Sequence, residues 1–268
     1  MSSHALFFRL LFALLLITLD AGFADRARAT TTDAPLVAAA SDLQFALPRI
    51  VAAFAAETGL SVRVSYGSSG NFARQIRQGA PFEMYLSADE RYVLDLARDG
   101  FTRDHGKLYA LGRIVITAPF GSPLEVDEQL DGLAAGLAAD RITHFAIANP
   151  DHAPYGQRAR EALQHRRLWA AIRPRLVLGE NVSQAAQFAL SGNTQGGIIA
   201  YSLALAPALA ERGRHALIPQ DWHRPLRQRV VLLADAGAVA ERFYAFLGKP
   251  AARALFRQFG FDPPGGTE

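Results

Sequence analysis

Residues 36–42 read Leu-Val-Ala-Ala-Ala-Ser-Asp, and this short run determines how the rest of the chain is interpreted. The five apolar residues predict a buried strand, and Ser41 and Asp42 are residue types that commonly precede a helix. A helical pattern of apolar residues follows at once over 45–55, and Gly59 ends it. A buried strand that leads directly into a helix is typical of α/β architecture.

The same alternation of apolar runs and helical patterns continues along the chain. Further strands are predicted at 61–66, 83–87, 144–148, 197–200 and 229–233. Further helices are predicted at 72–78, 91–98, 156–164 and 183–190, with two more that end at Phe259. We find neither a repeat of fixed period nor a linker rich in Ser, Gly or Pro. We therefore predict an α/β protein, with a frayed tail at 263–268.

The composition excludes several classes of protein. Half of the 268 residues are hydrophobic and 20% are charged, so the chain has enough apolar surface to build a core and does not resemble a disordered segment. It contains no Cys, which excludes disulfides, thiol nucleophiles and zinc or iron–sulfur sites held by Cys. The formal net charge is only +3 and the basic residues are scattered, so no nucleic-acid partner is predicted.

The first 29 residues predict a signal peptide. Arg9 precedes an apolar run at 10–19, which is too short to span a membrane core that needs about 20 residues. Small residues at 22–24 and 27–29 offer two cleavage sites. We expect export to the periplasm after cleavage near residue 29, and the alternative is an uncleaved amphipathic anchor.

Motifs of catalysis are missing from the sequence. The segment 67–71, Gly-Ser-Ser-Gly-Asn, lacks the second Gly of a nucleophile elbow, and no phosphate-binding or dinucleotide-binding glycine motif occurs. The seven His residues show no metal-binding spacing, and the pairs at 104–105 and 151–152 are expected to be loop or surface features. We therefore predict no enzyme, no catalytic residue, no cofactor and no bound metal cation. An exported hydrolase, the alternative, would need a nucleophile–base pair that the sequence does not supply.

Four places in the sequence combine the end of a strand with the start of a helix. They lie at 39–42, 66–71, 149–156 and 179–183, and they are rich in Ser, Asn, Asp and Gly. The first turn of a helix exposes unpaired N–H groups and the positive end of its dipole, so it attracts anions. Each junction alone is an ordinary helix cap, but four, two in each half of the chain, would line one cleft.

Beyond these junctions, the sequence as a whole resembles the periplasmic molybdate-binding proteins of ABC importers. The resemblance is strongest in Tyr-Gly-Ser-Ser-Gly-Asn-Phe-Ala-Arg-Gln-Ile at 66–76 and Gly-Ala-Pro-Phe-Glu at 79–83. It runs in collinear order from about residue 36 to 262. Its other segments are 38–41, 87–89, 149–150, 154–156, 161–163, 197–201 and 256–261.

The resemblance implies a type II periplasmic-binding-protein fold, in which each of two lobes is a mixed sheet flanked by helices and the ligand cleft lies between them. It implies a first lobe of 34–113 and 229–262 and a second lobe of 114–228, joined by the apolar segments near 113–118 and 229–233. It also implies a monomer that captures molybdate or tungstate and delivers it to an inner-membrane permease. The alternative in this class is another tetrahedral oxyanion such as sulfate.

The family's ligand contacts transfer to five positions. By resemblance, Ser41 and Ser69 each offer a hydroxyl and a backbone N–H. Tyr155 and Val182 offer backbone N–H groups, and Tyr201 offers its phenol.

Three departures from the family pattern bear on specificity and packing. Glu83-Met84-Tyr85 replaces a more usual Asp, aliphatic residue and Phe, which we interpret as a structural change. Asp42 and Glu180 lie beside predicted ligand residues, and we expect both carboxylates to point outward from the first turn of a helix. A carboxylate that pointed inward would accept a proton from a protonated oxyanion such as phosphate and would change specificity.

Overall fold

The computed structural model describes residues 34–265. The predicted signal peptide at 1–29 and residues 266–268 of the predicted tail lie outside the described residues. Within residues 34–265 no helix is both long enough and apolar enough to cross a membrane.

The described residues form ten strands and eleven α-helices. The strands are β1 Leu36–Ala40, β2 Arg63–Gly67, β3 Met84–Ser87, β4 Lys107–Gly112, β5 Ile114–Pro119, β6 Phe145–Ala148, β7 Leu176–Gly179, β8 Gly196–Ala200, β9 Gly213–Leu217 and β10 Leu226–Leu232. The helices are α1 Ala46–Thr58, α2 Ser69–Arg77, α3 Glu90–Arg98, α4 Asp131–Ala138, α5 Pro154–His165, α6 Trp169–Ile172, α7 Val182–Ala189, α8 Tyr201–Ala204, α9 Pro207–Ala210, α10 Ala238–Phe246 and α11 Pro250–Gln258.

The strands form two mixed sheets of five strands that share one plan. The first has the order β2-β1-β3-β10-β4 and the second has the order β7-β6-β8-β5-β9. In each sheet three neighbouring strands run parallel, and the fourth, β10 or β5, runs antiparallel to both of its neighbours. We call the part built on the first sheet the first lobe and the part built on the second sheet the second lobe.

The chain passes between the sheets twice. The first passage is Arg113, the single residue between β4 and β5, and the second runs from β9 to β10 through 218–225. The predicted connection near 113–118 includes the first passage. The prediction of a second connection near 229–233 was wrong, because residues 229–232 lie within β10 of the first sheet. The lobe boundaries stay a prediction: 34–113 with 229–262 for the first lobe and 114–228 for the second. The strands that form each sheet support them.

Four of the strands that the structure describes were not predicted as strands. Three of them, β4, β7 and β9, lie at the edges of the sheets, whereas β5, whose residues were predicted as a connecting segment, lies inside the second sheet. The sequences of β4 and β9 mix polar and apolar residues, so they show no continuous apolar run, as in Lys107-Leu-Tyr-Ala-Leu-Gly and Gly213-Arg-His-Ala-Leu. The central strands β1, β3 and β6 are almost wholly buried and apolar, and each was predicted to within one residue at either end.

Candidate ligand-binding site

A small cavity lies where strands of both sheets end. The space between its lining atoms is about 180 Å³, and the centre of a water-sized sphere can reach about 10 Å³ of it, far less than the ~300–1,000 Å³ of pockets that hold drug-sized ligands. Its lining comes from all four predicted junctions and from Ala88 at the end of β3: Ala40, Ser41, Asp42, Gly67, Ser68, Ser69, Ala88, Ala153, Pro154, Tyr155 and Val182. The cavity therefore suits a ligand of only a few atoms.

The first lobe contributes two buried hydroxyls that are already oriented. The N–H of Ser183 donates to Oγ of Ser41 at 3.2 Å, and the N–H of Ala88 donates to Oγ of Ser69 at 3.0 Å. Among the described residues neither hydroxyl donates to a protein acceptor. Because each oxygen already accepts a hydrogen bond, its own hydrogen is left to donate into the cavity.

The second lobe contributes backbone N–H groups at the starts of α5 and α7. Within residues 34–265 the N–H groups of Tyr155 and Val182 have no protein acceptor. The two helices contain 12 and 8 residues, so the positive ends of their dipoles meet at the cavity. Unpaired N–H groups at a helix N-terminus bind anions without a charged side chain.

Two glycines let these helices begin directly against the strands. A Cβ atom on Gly156 would lie 2.0 Å from the carbonyl oxygen of Ala148 at the end of β6. A Cβ atom on Gly179 would lie 2.5 Å from the backbone nitrogen of Ala185 in α7. Only glycine permits such close approaches, so these two positions set where the N–H donors lie.

Tyr201, the fifth predicted site residue, does not line the cavity. It is the first residue of α8, and its ring centroid lies 5.7 Å from that of His215. Its ring also lies against Gly260, where a Cβ atom would come within 2.8 Å. The structure thus brings Ser41, Ser69, Tyr155 and Val182 together at the cavity and leaves Tyr201 outside its lining.

The prediction that Asp42 points outward was wrong, whereas the same prediction for Glu180 is confirmed. Asp42 is 1% exposed, and its Oδ2 accepts hydrogen bonds from the phenol of Tyr155 at 2.9 Å and from Nε2 of Gln228 at 2.5 Å. The side chain of Glu180 is 70% exposed. Asp42 lies in a three-residue turn of 3₁₀ helix that packs between elements of both lobes, so its side chain has no route to solvent.

The environment of Asp42 disfavours its ionised form. Burial raises the pKa of this carboxyl to about 6, although the hydrogen bonds from Gln228 and Tyr155 and the nearby backbone N–H groups of Asp42 and Leu43 act in the opposite direction. Its Oδ1 is buried and has no hydrogen-bond partner within the described part of the chain. A buried acceptor without a partner is costly, so this atom calls for an explanation.

Gln228 and Tyr109 support Asp42 and were missed by the sequence analysis. The phenol of Tyr109 donates to Oε1 of Gln228 at 2.6 Å, which orients the amide group toward Asp42. Along β10, Leu226, Gln228 and Val230 are buried in alternation. The signal that could have identified Gln228 is a polar residue at a buried position of a strand whose residues alternate in burial.

The two lobes contact each other at the rim of the cavity through His152. The backbone N–H of Gly70 donates to the carbonyl oxygen of His152 at 2.9 Å. Nδ1 of His152 lies 2.9 Å from Oγ of Ser68, and its Nε2 lies 3.6 Å from the carboxylate of Glu180. The side chain of His152 is only 15% exposed, so the expected surface pair Asp151-His152 is instead partly an interlobe contact.

A buried ion pair makes a second contact between the lobes. Nη2 of Arg158 in α5 lies 2.6 Å from Oδ2 of Asp89, which follows β3. Burial alone would raise the pKa of Asp89, but hydrogen bonds from Arg91 and the charge of Arg158 lower it below its ordinary value. The arginine therefore faces a carboxylate, and the described residues that line the cavity include no lysine or arginine. No group of three His, Asp or Glu side chains that would hold a metal ion occurs in residues 34–265.

Two lobes with a shared plan and a small buried site of hydroxyl and N–H donors between them define a solute-binding protein. The sequence profile of bacterial extracellular solute-binding proteins matches residues 35–262, and the chain belongs to this family.

Individual relatives agree with this assignment. The chain is 35% identical to the molybdate-binding protein ModA of Rhodobacter capsulatus over 229 residues, which are 84% of this chain and 87% of that protein. It is 30% identical to ModA of Escherichia coli K12 over 230 residues, 84% of this chain and 87% of that protein. The solved periplasmic molybdate-binding protein of Azotobacter vinelandii superposes with a TM-score of 0.78 at 30% identity, covering 86% of this chain and 99% of that one. The predicted periplasmic-binding-protein fold is thereby confirmed.

Proposed function

We propose that this protein captures molybdate, and also tungstate, and delivers it to the permease of an ABC importer. The observation that carries the proposal is a cavity of about 180 Å³ lined by hydroxyl and unpaired N–H donors from both lobes, with no lysine or arginine in its lining. The relatives named as molybdate-binding proteins support the same ligand. The proposed donors are Ser41, Ser69, Tyr155 and Val182, and Tyr201 stays a prediction without a contact that supports it.

Neutral donors are sufficient to hold a dianion in such a site. Each hydrogen bond to a charged group contributes about 1.5–3 kcal/mol net. Closure of the lobes around the anion would exclude water from the cavity, which would strengthen each of these bonds. The sum of all the bonds would exceed the true affinity, because ordering of the lobes and desolvation of the anion oppose binding.

The proposed role is binding rather than catalysis. Ser68 and His152 do form a hydroxyl–imidazole pair, but Oγ of Ser68 also caps α2 by accepting the N–H of Asn71 at 3.4 Å. The carboxylate near the imidazole, Glu180, is mostly in solvent. We interpret this arrangement as a contact that holds the lobes together around the ligand.

Location and partners follow from the proposed function. We propose that the signal peptide directs the chain to the periplasm, where it acts as a monomer and meets an inner-membrane permease. We propose no nucleic-acid partner and no resident cofactor.

A thermal unfolding experiment with a panel of oxyanions tests the proposed function. A ligand that binds only the folded state raises its stability by RT ln(1 + [L]/Kd). We expect molybdate and tungstate to raise the melting temperature strongly and sulfate to raise it far less at matched ionic strength, because fixed donors reach the smaller anion poorly. Sodium chloride at the same ionic strength is the control. A sulfate shift equal to or larger than the molybdate shift would contradict the proposal.

A further inference from the structure

Asp42 is the one carboxyl group that lines the cavity, among the residues that the structure describes. Its two oxygens differ. Oδ2 accepts hydrogen bonds from Tyr155 and Gln228, whereas Oδ1 is buried and has no protein partner within residues 34–265. No lysine, arginine or histidine of the described chain forms a salt bridge with Asp42. An ionised Asp42 would therefore repel a dianion in the same cavity, and no cationic side chain paired with Asp42 would offset this repulsion.

Protonation of Asp42 would change this repulsion into an attraction. The neutral acid keeps Oδ2 as the acceptor for Tyr155 and Gln228 and places its hydrogen on Oδ1. That hydrogen then has no acceptor in the protein and is available to an oxygen of the ligand. Burial favours the neutral form, since it raises the pKa of Asp42 to about 6.

The tyrosines around Asp42 are not the source of a proton that is taken up near neutral pH. Burial raises the pKa of Tyr155, Tyr109 and Tyr85 above the ordinary tyrosine value, so these phenols stay neutral. The contacts from α7 and α8 come from the backbone N–H of Ser183, which donates to Ser41, and the hydroxyl of Ser202, which donates to the carbonyl oxygen of Asp42.

At the rim of the cavity, Asp89 is ionised and paired with Arg158. His152, which contacts Ser68, is a second ionisable side chain at the rim, and the experiment must separate it from Asp42.

We propose that Asp42 enters the complex as the neutral acid and donates its Oδ1 hydrogen to the bound oxyanion. This inference rests on the proposed function. The proton comes from solvent and is taken up on binding.

The sign of the pH dependence follows from linkage. Above about pH 6 the ligand-free protein has an ionised Asp42, so binding requires uptake of one proton. The affinity for molybdate then falls about tenfold for each pH unit, because each unit of pKa difference corresponds to ~1.4 kcal/mol. Below that pH the affinity is nearly constant.

Calorimetric titration with sodium molybdate between pH 5.5 and 8.5 tests the proposal on the wild type and on Asp42→Asn. The asparagine presents an N–H donor in place of the acid O–H and keeps an acceptor for Tyr155 and Gln228. We expect the wild type to lose affinity on the order of 100-fold between pH 6.5 and 8.5. The variant should show a flat profile and bind more tightly than the wild type at pH 8.5. Titrations in two buffers of different ionisation enthalpy should show uptake of about one proton by the wild type alone at pH 8.

Two further variants separate the possible outcomes. His152→Gln should keep the wild-type slope, and loss of the slope there would assign the proton to His152 and overturn the proposal. Should Asp42→Asn fail to fold, Tyr155→Phe serves in its place. It removes a hydrogen bond that favours the ionised carboxylate, so the fall in affinity should begin at a higher pH.

The results also distinguish this inference from the proposed function. A wild type that binds molybdate with a flat pH profile, or a slope that survives in Asp42→Asn, overturns the role of Asp42 alone. A wild type that binds no molybdate at any of these pH values refutes the proposed function, and the inference with it.

Discussion

The two halves of the cavity offer the same kind of hydrogen bond from different parts of the residue. The first lobe offers side-chain hydroxyls, on Ser41 and Ser69, and each is oriented by a backbone N–H. The second lobe offers the backbone N–H groups of Tyr155 and Val182 at the starts of two helices. The first half therefore depends in part on which side chains are present, although Ser41 and Ser69 also have backbone N–H groups, and the second half depends on the path of the backbone. Removal of a side chain should weaken anion binding in the first half, whereas in the second half a substitution should weaken binding only where it moves the backbone.

The largest effect is expected from Gly156→Ala, which alters the backbone path in the second half. The added methyl group would lie 2.0 Å from the carbonyl oxygen of Ala148, so the start of α5 must move. This displaces both the N–H of Tyr155 and the phenol that holds Asp42. If the N–H of Tyr155 and the displaced Asp42 both lose their hydrogen bonds to the anion, at about 1.5–3 kcal/mol each, the Kd for molybdate should rise on the order of 100-fold or more. Overpacking should also reduce the free energy of unfolding by about 1–3 kcal/mol.

Gly248→Ala is the matched control for this change. The nearest atom to its added methyl group is a carbonyl oxygen at 3.3 Å, and Gly248 does not line the cavity. Calorimetry should show an unchanged Kd for this variant. A Gly156→Ala protein that binds molybdate as the control does would show that the backbone path at α5 does not determine the site.

An intermediate effect is expected from Ser69→Ala, which tests the first half. Loss of the hydroxyl removes one donor to the anion and should weaken molybdate binding by about 1.5–3 kcal/mol. It also leaves the N–H of Ala88 without its acceptor, so the ligand-free protein should lose about 1 kcal/mol of stability while keeping its fold. An unchanged Kd in a folded variant would make Ser69 a structural residue only.

Val182→Ala sharpens the comparison, because it changes a side chain in the half that uses the backbone. The N–H of residue 182 remains, so the Kd for molybdate should stay within about threefold of the wild type, less than the loss of one hydrogen bond to charge. The buried side chain loses two methyl groups, which should cost about 1–2 kcal/mol of stability. Equal losses of affinity in Val182→Ala and Ser69→Ala would remove the distinction between the two halves.

The same distinction explains how much of the site could be predicted from sequence. The junctions at Ser41, Ser69, Tyr155 and Val182 were predicted because strand and helix patterns are local, and the structure brings all four to one cavity. The direction of the Asp42 side chain was not predictable from local rules. A carboxylate in a first turn ordinarily faces solvent, and only the packing of both lobes against residues 41–43 buries it. Its partners, Gln228 and Tyr109, are distant in sequence and meet it only in the folded protein.

Prediction of the fold from the sequence was limited in a similar way. The central strands β1, β3 and β6 were predicted from their continuous apolar runs, whereas the edge strands β4 and β9 were not, since their sequences mix polar and apolar residues. The crossing at Arg113 was predicted through the resemblance to a family, because one residue between two strands leaves no compositional signal.

The smallest effect is expected from Tyr201→Phe, which tests the one predicted contact that the structure places outside the cavity. The phenol makes no hydrogen bond to another described residue, and the ring lies against His215 and Gly260. Phenylalanine keeps the ring, so the packing should survive. Melting curves of the ligand-free and molybdate-loaded variant should both match those of the wild type, within about 0.5 kcal/mol for a substitution away from any special feature.

Each other outcome for Tyr201→Phe has a definite meaning. A ligand-induced shift that shrinks while the ligand-free curve stays unchanged would show that the phenol donates to the oxyanion, as the family resemblance implies. The second lobe would then contribute a side-chain donor, and its dependence on backbone alone would be refuted. A lower ligand-free transition with an undiminished shift would instead give the phenol a partner within the protein. Because the wild-type phenol is expected to have neither contact, equal curves in both states are the result that preserves the contrast between the two halves.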